Sequence, residues 1–279
     1  MSHSSQFINH QLTLTYVVIC VKNDGVGLRK TLHSIIGLDE NFAIILVGAS
    51  KQDFPDWETS LKFTFISDGG SGVYGAMNMA LSTISNSGSF VFFLNAGDTL
   101  VSVSSLTEVT QALKNSNSLW AISKSYVNNG EDYLRTSSED FSRLKSMTWG
   151  KRGFLQQATV IQRCAYESVG KFDESYLVAA DLDFFCRLAE FSKPIELKIP
   201  LTNYFLGGYS SKMRHKACRE LHQIRSKYNK SWNSKVYNFV SYSFYLFVLG
   251  PSMAFGYLDR KAPFITNSLR RLSVLRTNQ

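Results

Sequence analysis

The chain lacks the sequence motifs of several common chemistries. Its four cysteines are far apart and form no CxxC pair, which excludes a paired-cysteine redox or zinc motif. Residues 22–27, which follow the first strand-like segment, lack a G-x-G-x-x-G phosphate turn, so a dinucleotide-dependent oxidoreductase ranks well below the other hypotheses. Residues 1–10 are polar and contain no apolar core, so we expect no signal peptide and favour a reducing, cytoplasmic location.

Acidic residues are scarce towards the C-terminal end. Residues 212–279 contain 13 Lys and Arg but 2 Asp and Glu, whereas residues 1–211 contain 17 and 20. A basic region of this kind suits an anionic lipid, a diphosphate or nucleic acid as a partner. No zinc-finger spacing, RNP-type aromatic motif or basic zipper accompanies it, so nucleic acid is the weakest of the three and we expect none.

Strand-like and helix-like segments alternate through the first hundred residues. The pattern predicts strands at residues 12–21, 42–47, 62–66 and 90–94, and helices at residues 28–36 and 73–84. This alternation indicates an α/β fold with a mostly parallel, twisted sheet flanked by helices. Later helices are predicted at residues 105–114, 181–191 and 213–228, and later strands at residues 119–136 (two, joined at Asn129-Gly130), 158–162, 195–199 and 203–206.

The chain is long enough for one large domain and an appendage. We predict an α/β domain at residues 1–211 and a helical, basic and aromatic region at residues 212–279. Residues 236–258 carry no charge and approach transmembrane length, with Gly250-Pro251 near the middle. Two hypotheses for this region are about equally favoured. Its helices lie in the membrane interface beside anionic lipid, or they form a helical hairpin packed on the α/β domain. A true membrane span ranks third.

The turn Asn95-Ala96-Gly97-Asp98 directly follows the apolar run at residues 90–94 and is the most informative feature of the sequence. Ligands of open α/β sheets collect at the carboxyl ends of strands, so Asp98 lies where a ligand is expected. A carboxylate there suits a divalent cation that is shared with phosphates. The alternative is an ordinary strand-ending turn, because Asn, Gly and Asp are common turn residues.

Acidic residues are predicted at three points on one rim of the sheet: Asp68, Asp98 and Asp181. Each follows a strand or begins a helix. Asp181 and Asp183 open the same predicted helix, where the helix dipole favours acids, so capping alone explains one of them. The small, uncharged residues 178–180 before Asp181 also suit a general base that faces a pocket.

Several motifs together resemble the family 2 inverting glycosyltransferases of the GT-A fold, and most closely the subgroup of bacterial colanic acid, capsule and O-antigen (lipopolysaccharide) biosynthesis. Residues 72–78, Gly-Val-Tyr-Gly-Ala-Met-Asn, are similar to the family's G-I-Y-D-A-M-N, and residues 92–98 are similar to its F-L-N-x-G-D. Further similar segments are residues 31–35, residues 170–174 with residues 181–183, and Gly207-Gly208-Tyr209-Ser210. The likeness covers residues 12–230.

The resemblance implies how the donor is held. Asp98 is expected to bind Mg²⁺ or Mn²⁺, which bridges the diphosphate of a UDP-, GDP- or dTDP-sugar. Asn95 is expected to bind the ribose or a metal-bound water, and Asn78 to help hold the nucleotide. Asn23 and Asp68, in turns that follow strands, are assigned as further donor contacts.

The resemblance also implies the chemistry. Asp181 is expected to take the proton from the acceptor hydroxyl as this attacks the anomeric carbon, and direct displacement then inverts the configuration. A lipid-linked glycan is the expected acceptor, reached by peripheral contact with an anionic membrane at the inner face of the cell membrane.

The sequence departs from the family pattern at three places. The Asp that usually ends the second strand is missing from residues 47–52, although Asp53 matches a later acid of the same loop. Gly75 replaces the Asp of G-I-Y-D, and Gln156 stands where a His is common. These departures keep one rival hypothesis open: a non-catalytic sugar-nucleotide-binding or scaffold protein of the same fold.

Overall fold

The computed structural model describes residues 13–48, 62–128, 133–137, 141, 155–206 and 213–228, and helical residues at 232, 235–236, 238–240 and 242–243. In chain order the elements are β1 Thr15–Cys20, α1 Gly25–Ser34, β2 Phe42–Val47, β3 Phe63–Ile66, α2 Gly72–Thr83, β4 Phe90–Phe93, β5 Thr99–Leu100, α3 Val103–Lys114, β6 Trp120–Asn128, β7 Tyr133–Ser137, β8 Thr159–Gln162, α4 Arg163–Val169, α5 Ala180–Phe191, β9 Ile195–Phe205 and α6 Arg214–Tyr228.

The described residues divide into two compact units. Those up to Ile224 belong to one unit and those from Arg225 onward belong to the other. The domain boundary predicted at residue 211 stays a prediction. In the part of the chain that the structure describes, no helix has the length and apolar character needed to cross a bilayer.

Four parallel strands form the first half of the sheet. β1 lies between β2 and β4 and pairs with both, and β3 pairs with β2. Val17, Leu46 and Phe92, one from each of the three inner strands, are completely buried. Strands covered by helices on both faces need such continuous apolar sequences. The parallel α/β sheet predicted for the first hundred residues is confirmed, with α1 and α2 as its connections.

The second half of the sheet is mixed, and its strand order continues from β4 as β8-β6-β9-β5. β8 is antiparallel to both β4 and β6, β9 is parallel to β6, and β5 is antiparallel to β9. β7 returns antiparallel along β6, as predicted for residues 119–136. The turn predicted at Asn129-Gly130 lies outside the described residues. Residues 95–98 thus connect the middle strand β4 to β5 at the end of the strand order.

β9 is one strand where the sequence predicts two. Pro200 pairs opposite Lys124, and the register of β6 and β9 shifts on both sides of Lys124. Proline has no N–H for a ladder hydrogen bond, and the irregularity lets the strand continue through it. Two short elements were not predicted from the sequence pattern: β5, which has two residues, and α4, which has seven.

An aromatic cluster anchors α5. The rings of Tyr166 and Phe184 stack with their centroids 4.6 Å apart, and Phe172 lies 5.1 Å from Phe184 and 5.6 Å from Phe93 of β4. Tyr74 of α2 completes the cluster, 5.6 Å from Phe172. Aromatic rings bury large apolar areas in defined relative orientations. The cluster therefore fixes α5 against α2 and β4.

Gly48, directly after β2, is predicted to be intolerant of any side chain. It has a φ of +79°, and a Cβ there would lie 2.5 Å from the Val21 carbonyl oxygen. We expect Gly48→Ala to lower the free energy of unfolding by about 2–3 kcal/mol in urea denaturation, because backbone strain and a clash with backbone add.

Gly37→Ala is the matched control for this substitution. Gly37 has a φ of +98° but nothing within 4 Å of its Cβ position, so its variant reports strain without a clash. An equal loss of stability in the two variants would contradict the contact between residue 48 and Val21.

Candidate active site

Polar residues follow the parallel strands at their carboxyl ends. Asn23 and Asp24 follow β1, Asp68 follows β3 and Asn95 follows β4. Parallel strands end at the same edge of a sheet, so these residues share one rim. A Cβ at Gly97 would lie 3.8 Å from Asp24 Oδ2, so the loop after β1 contacts the turn after β4. Asn23 is exposed and has a positive φ of 52°.

Two hydroxyls of α1 hold the turn after β4. The buried Thr31 hydroxyl lies 2.7 Å from the Asp98 carbonyl, to which it donates, and it accepts the Gly97 N–H at 3.0 Å. The Ser34 hydroxyl accepts the Leu100 N–H at 3.0 Å. Sequence reasoning assigned no role to either hydroxyl. The available signal was a pair of polar residues, three positions apart, beside the apolar residues of α1.

The Asp98 carboxylate is buried, with 5% of the residue exposed. Its Oδ1 accepts the Phe205 N–H at 2.9 Å, and the Gln157 side chain also donates to it. Burial raises the pKa of Asp98 to about 7, because these two neutral donors offset only part of the loss of solvation. A buried carboxylate in this condition is stabilised by a nearby cation.

A single buried carboxylate such as Asp98 suits a cation that takes most of its ligands from a bound diphosphate. Among the residues described, no group of three His, Cys, Asp or Glu side chains lies close enough to hold a metal ion. Mg²⁺ is usually bound through one or two carboxylates together with substrate phosphates and water. Asp98 would supply one carboxylate, and Asn95, in the same turn, is expected to bind the ribose or a metal-bound water. The metal-binding role of Asp98 stays a prediction.

Asp181 lies in the first turn of α5 and is hydrogen-bonded to α2. The Tyr74 hydroxyl is 3.0 Å from Asp181 Oδ1 and 2.8 Å from the Val178 carbonyl oxygen. The Leu182 N–H donates to the same Oδ1 at 2.9 Å. Because α2 begins just after β3, Tyr74 brings Asp181 to the rim at which the parallel strands end.

The environment of Asp181 makes it a stronger base than an exposed carboxylate. Burial raises its pKa to about 6; the hydrogen bonds from Leu182 and Tyr74 lower it, and the nearby Glu220 raises it. The residue as a whole is partly exposed. A carboxylate with this pKa is ionised at neutral pH and still has appreciable affinity for a proton.

Asp183 has a structural role that differs from that of Asp181. It is buried and forms an ion pair with Arg187 one turn later, with Asp183 Oδ2 2.9 Å from Arg187 Nε. The Arg187 guanidinium also donates to the carbonyls of Gly170 and Lys171. Asp183 therefore ties α5 to the segment before it. Neither acid is the N-cap residue of α5, which is Ala179; Asp181 accepts the first-turn N–H of Leu182.

Asn78 links α2 to the segment before α5. Its Nδ2 donates to the Phe172 carbonyl at 2.9 Å and to Glu174 Oε1 at 2.8 Å, and its Oδ1 accepts the Phe172 N–H at 3.1 Å. Both amide hydrogens are thus used within the fold. The nucleotide contacts predicted for Asn23, Asp68, Asn78 and Asn95 stay predictions. Asp53 and residues 207–210 lie outside the described residues.

The space beside Gly75 is filled by other residues. A Cβ at this position would lie 2.5 Å from Ser71 Cβ and 3.3 Å from Glu174 Oε2. The glycine therefore lets the Glu174 carboxylate approach α2 closely.

Comparison with known structures identifies the fold. The chain is similar to S. aureus TarS 1-349, with a TM-score of 0.56 and 14% identity over 76% of this chain and 65% of that one, so it spans just under two thirds of the TarS structure. It is also similar to the mannosyltransferase PcManGT from Pyrobaculum calidifontis, with a TM-score of 0.58 and 13% identity over 95% of this chain and 80% of that one. The fold is of the GT-A type. No protein-family model matches the chain, and no curated protein is similar to it in sequence.

The raised pKa of Asp98 predicts an unusual pH dependence of stability. Between 3.8 and about 7 the folded state keeps a proton that the unfolded state has released. The free energy of unfolding therefore falls as pH rises through this range, by at most about 4 kcal/mol from this group. Asp98→Asn, which has no charge to desolvate, should reduce the slope in urea unfolding across this pH range and leave the part that Asp181, whose pKa is also raised, contributes.

Glu108→Gln, which changes an exposed acid of α3, is the control and should keep the wild-type slope. If Asp98→Asn also keeps that slope, Asp98 is not the proton-binding group.

Proposed function

We propose that this chain is a glycosyltransferase that moves one sugar from a nucleotide-sugar donor to a glycan acceptor with inversion of configuration. The observation that carries the proposal is the partly exposed Asp181, which Tyr74 holds beside the carboxyl ends of the parallel strands. A general base needs a proton affinity suited to neutral pH and a place where ligands bind. Asp181 meets both requirements.

The proposed donor is a nucleotide sugar, and the fold comparison supports this. TarS has a structure in complex with UDP, at a TM-score of 0.53 and 13% identity to this chain, and PcManGT has one in complex with GDP-Man and Mn²⁺. We assign the UDP-, GDP- or dTDP-sugar to the rim formed by the ends of β1 to β4. Asn23, Asp68, Asn78 and Asn95 are its proposed contacts.

In the proposed reaction Asp181 accepts the proton of the acceptor hydroxyl while that oxygen bonds to the anomeric carbon. The bond from this carbon to the diphosphate breaks on the opposite side, and the nucleoside diphosphate leaves with the electron pair. A divalent cation held by Asp98 would neutralise charge on the departing diphosphate.

Tyr74 can keep its hydrogen bond through the proton transfer. It has one hydroxyl hydrogen and two acceptors within reach, Asp181 Oδ1 and the Val178 carbonyl. When Asp181 gains a proton, Tyr74 can donate to Val178 and accept from the new carboxylic acid. The change of protonation therefore leaves no buried hydroxyl unpaired.

We further propose a lipid-linked glycan acceptor of bacterial surface polysaccharide biosynthesis, reached by peripheral contact with anionic membrane. The support is an exposed apolar face beyond α6: Trp232, Val236, Phe239 and Val240 are 78%, 43%, 67% and 58% exposed. Their spacing of four, seven and eight positions places them on one side of a helix. The buried Asn238 points the other way and donates to Ser226.

The positive charge of the C-terminal region also supports contact with an anionic membrane. The balance of 13 basic to 2 acidic residues over 212–279 suits anionic headgroups, and aromatic residues are favoured at the membrane interface.

Asp181→Asn tests the catalytic proposal. We expect transfer from the active nucleotide sugar to fall by about 10²–10⁴-fold, because the amide cannot accept the proton. Donor binding, followed by thermal shift against UDP-, GDP- and dTDP-sugars with and without Mn²⁺, should be kept. In the wild type, kcat/KM should rise with pH through about 6, the pKa of Asp181.

Glu108→Gln again serves as the control, with unchanged transfer. Binding without any transfer by the wild type would support the non-catalytic hypothesis instead. Full transfer by Asp181→Asn would show that another group is the base.

Substitution of the exposed apolar face tests the membrane proposal. In co-sedimentation with phosphatidylglycerol vesicles, Trp232→Ser combined with Phe239→Ser should weaken binding by about tenfold or more, because two large apolar contacts are lost. Wild-type binding should fall at high salt and on neutral phosphatidylcholine vesicles. Val26→Ser, which changes a 72% exposed residue of α1, is the matched control. Equal binding by the double variant and the wild type would rule out this face.

A further inference from the structure

Glu220 of α6 makes an unusual set of contacts for an acidic residue. It is 5% exposed, and its two carboxylate oxygens accept three successive backbone N–H groups. Leu177 donates to Oε1 at 2.9 Å, and Val178 and Ala179 donate to Oε2 at 2.8 Å and 3.0 Å. Hydrogen bonds to an ionised acceptor are stronger than those between neutral groups, so this carboxylate holds the backbone of residues 177–179 in place.

Residues 177–179 lie just before Asp181, the proposed base. Ala179 is the N-cap residue of α5, and its side chain makes no capping hydrogen bond. Glu220 therefore supplies, from another helix, the acidic partner that a helix N-terminus favours. Asp181 follows two residues later, so the position of its carboxylate depends on where residues 177–179 are held.

The peptide at Val178 is held from both sides. Its N–H donates to Glu220, and its carbonyl lies 2.8 Å from the Tyr74 hydroxyl, whose one hydrogen is shared between this carbonyl and Asp181. Tyr74 and Glu220 are thus the titratable groups that face Asp181 from α2 and α6. One small network connects three helices around the proton acceptor.

We infer that Glu220 is a positioning residue for glycosyl transfer: it fixes the 177–179 backbone and thereby places Asp181 for proton abstraction. The inference rests on the proposed function for its catalytic part. Its structural part, a carboxylate that orders the entry to α5, stands on the three hydrogen bonds. The negative charge of Glu220 near Asp181 also favours the protonated form of that residue and raises its pKa.

Two substitutions separate the shape of Glu220 from its charge. Glu220→Gln removes the charge and leaves one acceptor oxygen for three N–H groups. Glu220→Asp keeps the charge but is one methylene shorter. Arg219→Gln, at an exposed position of the same helix, is the matched control.

The first measurement is kinetic. We expect kcat to fall by about 10–100-fold in Glu220→Gln and in Glu220→Asp, with KM for the donor changed by less than about twofold, because misplacing a reacting group lowers kcat. The midpoint of the pH–rate profile should move to lower pH in Glu220→Gln and stay near the wild-type value in Glu220→Asp. A purely structural role would lower thermal stability in both variants without this fall in kcat.

The second measurement does not need activity. Amide hydrogen exchange at residues 177–179 should be slow in the wild type and in Arg219→Gln, and faster in Glu220→Gln. Carboxyl carbon NMR should show Asp181, assigned with Asp181→Asn, titrating at lower pH in Glu220→Gln.

The outcomes distinguish this inference from the proposed function. Unchanged exchange at residues 177–179 in Glu220→Gln, or faster exchange with an unchanged kcat, would overturn the positioning role. A wild-type protein that transfers no sugar would overturn the proposed function, and amide exchange would still decide whether Glu220 orders residues 177–179.

Discussion

Two side chains of α2, four positions apart, attach the segment that carries Asp181 to the parallel half of the sheet. Tyr74 bonds to Asp181, 107 positions later in the chain, and Asn78 bonds to Phe172, 94 positions later. Because α2 starts where β3 ends, these bonds relate α5 to the rim at which the first four strands finish. Aromatic packing adds buried apolar area between the same elements. Hydrogen bonds have a preferred direction, so they orient the Asp181 carboxylate, as a general base requires.

Buried carboxylates around this rim are stabilised to different extents. Glu220 is surrounded by three N–H groups at a helix N-terminus, which replace much of the water it has lost. Asp98 has two neutral donors, and burial raises its pKa to about 7. The backbone therefore provides three hydrogen bonds for the Glu220 carboxylate and leaves the Asp98 carboxylate poorly compensated for its burial. A cation that binds together with a diphosphate would stabilise the ionised Asp98 carboxylate. The cation and the diphosphate should therefore each favour the binding of the other.

The sequence predicts the parts of this protein that depend on local pattern. Continuous apolar runs identified β1, β2 and β4, and the polar residues after β1, β3 and β4 marked the rim. The roles of Thr31 and Glu220 were missed because their partners lie 67 and 41–43 positions away, and no local periodicity reports such contacts. The two strands predicted around Pro200 are one, because pairing with β6 outweighs the missing N–H of a single proline. Tertiary pairing, which the sequence does not display, decided each of these cases.

The glycine at position 75 shows how a departure from a family motif can be compensated. The resembled motif has an Asp there, and its replacement by glycine is one of the departures that keep the non-catalytic hypothesis open. Glu174 Oε2 lies 3.3 Å from where a Cβ would stand, and Glu174 Oε1 accepts a hydrogen bond from Asn78 on the same face of α2. A carboxylate is therefore present at this turn of α2, contributed by the segment before α5. A Cβ at position 75 would lie 2.5 Å from Ser71 Cβ and would also press on this carboxylate, so the glycine keeps the approach to α2 open.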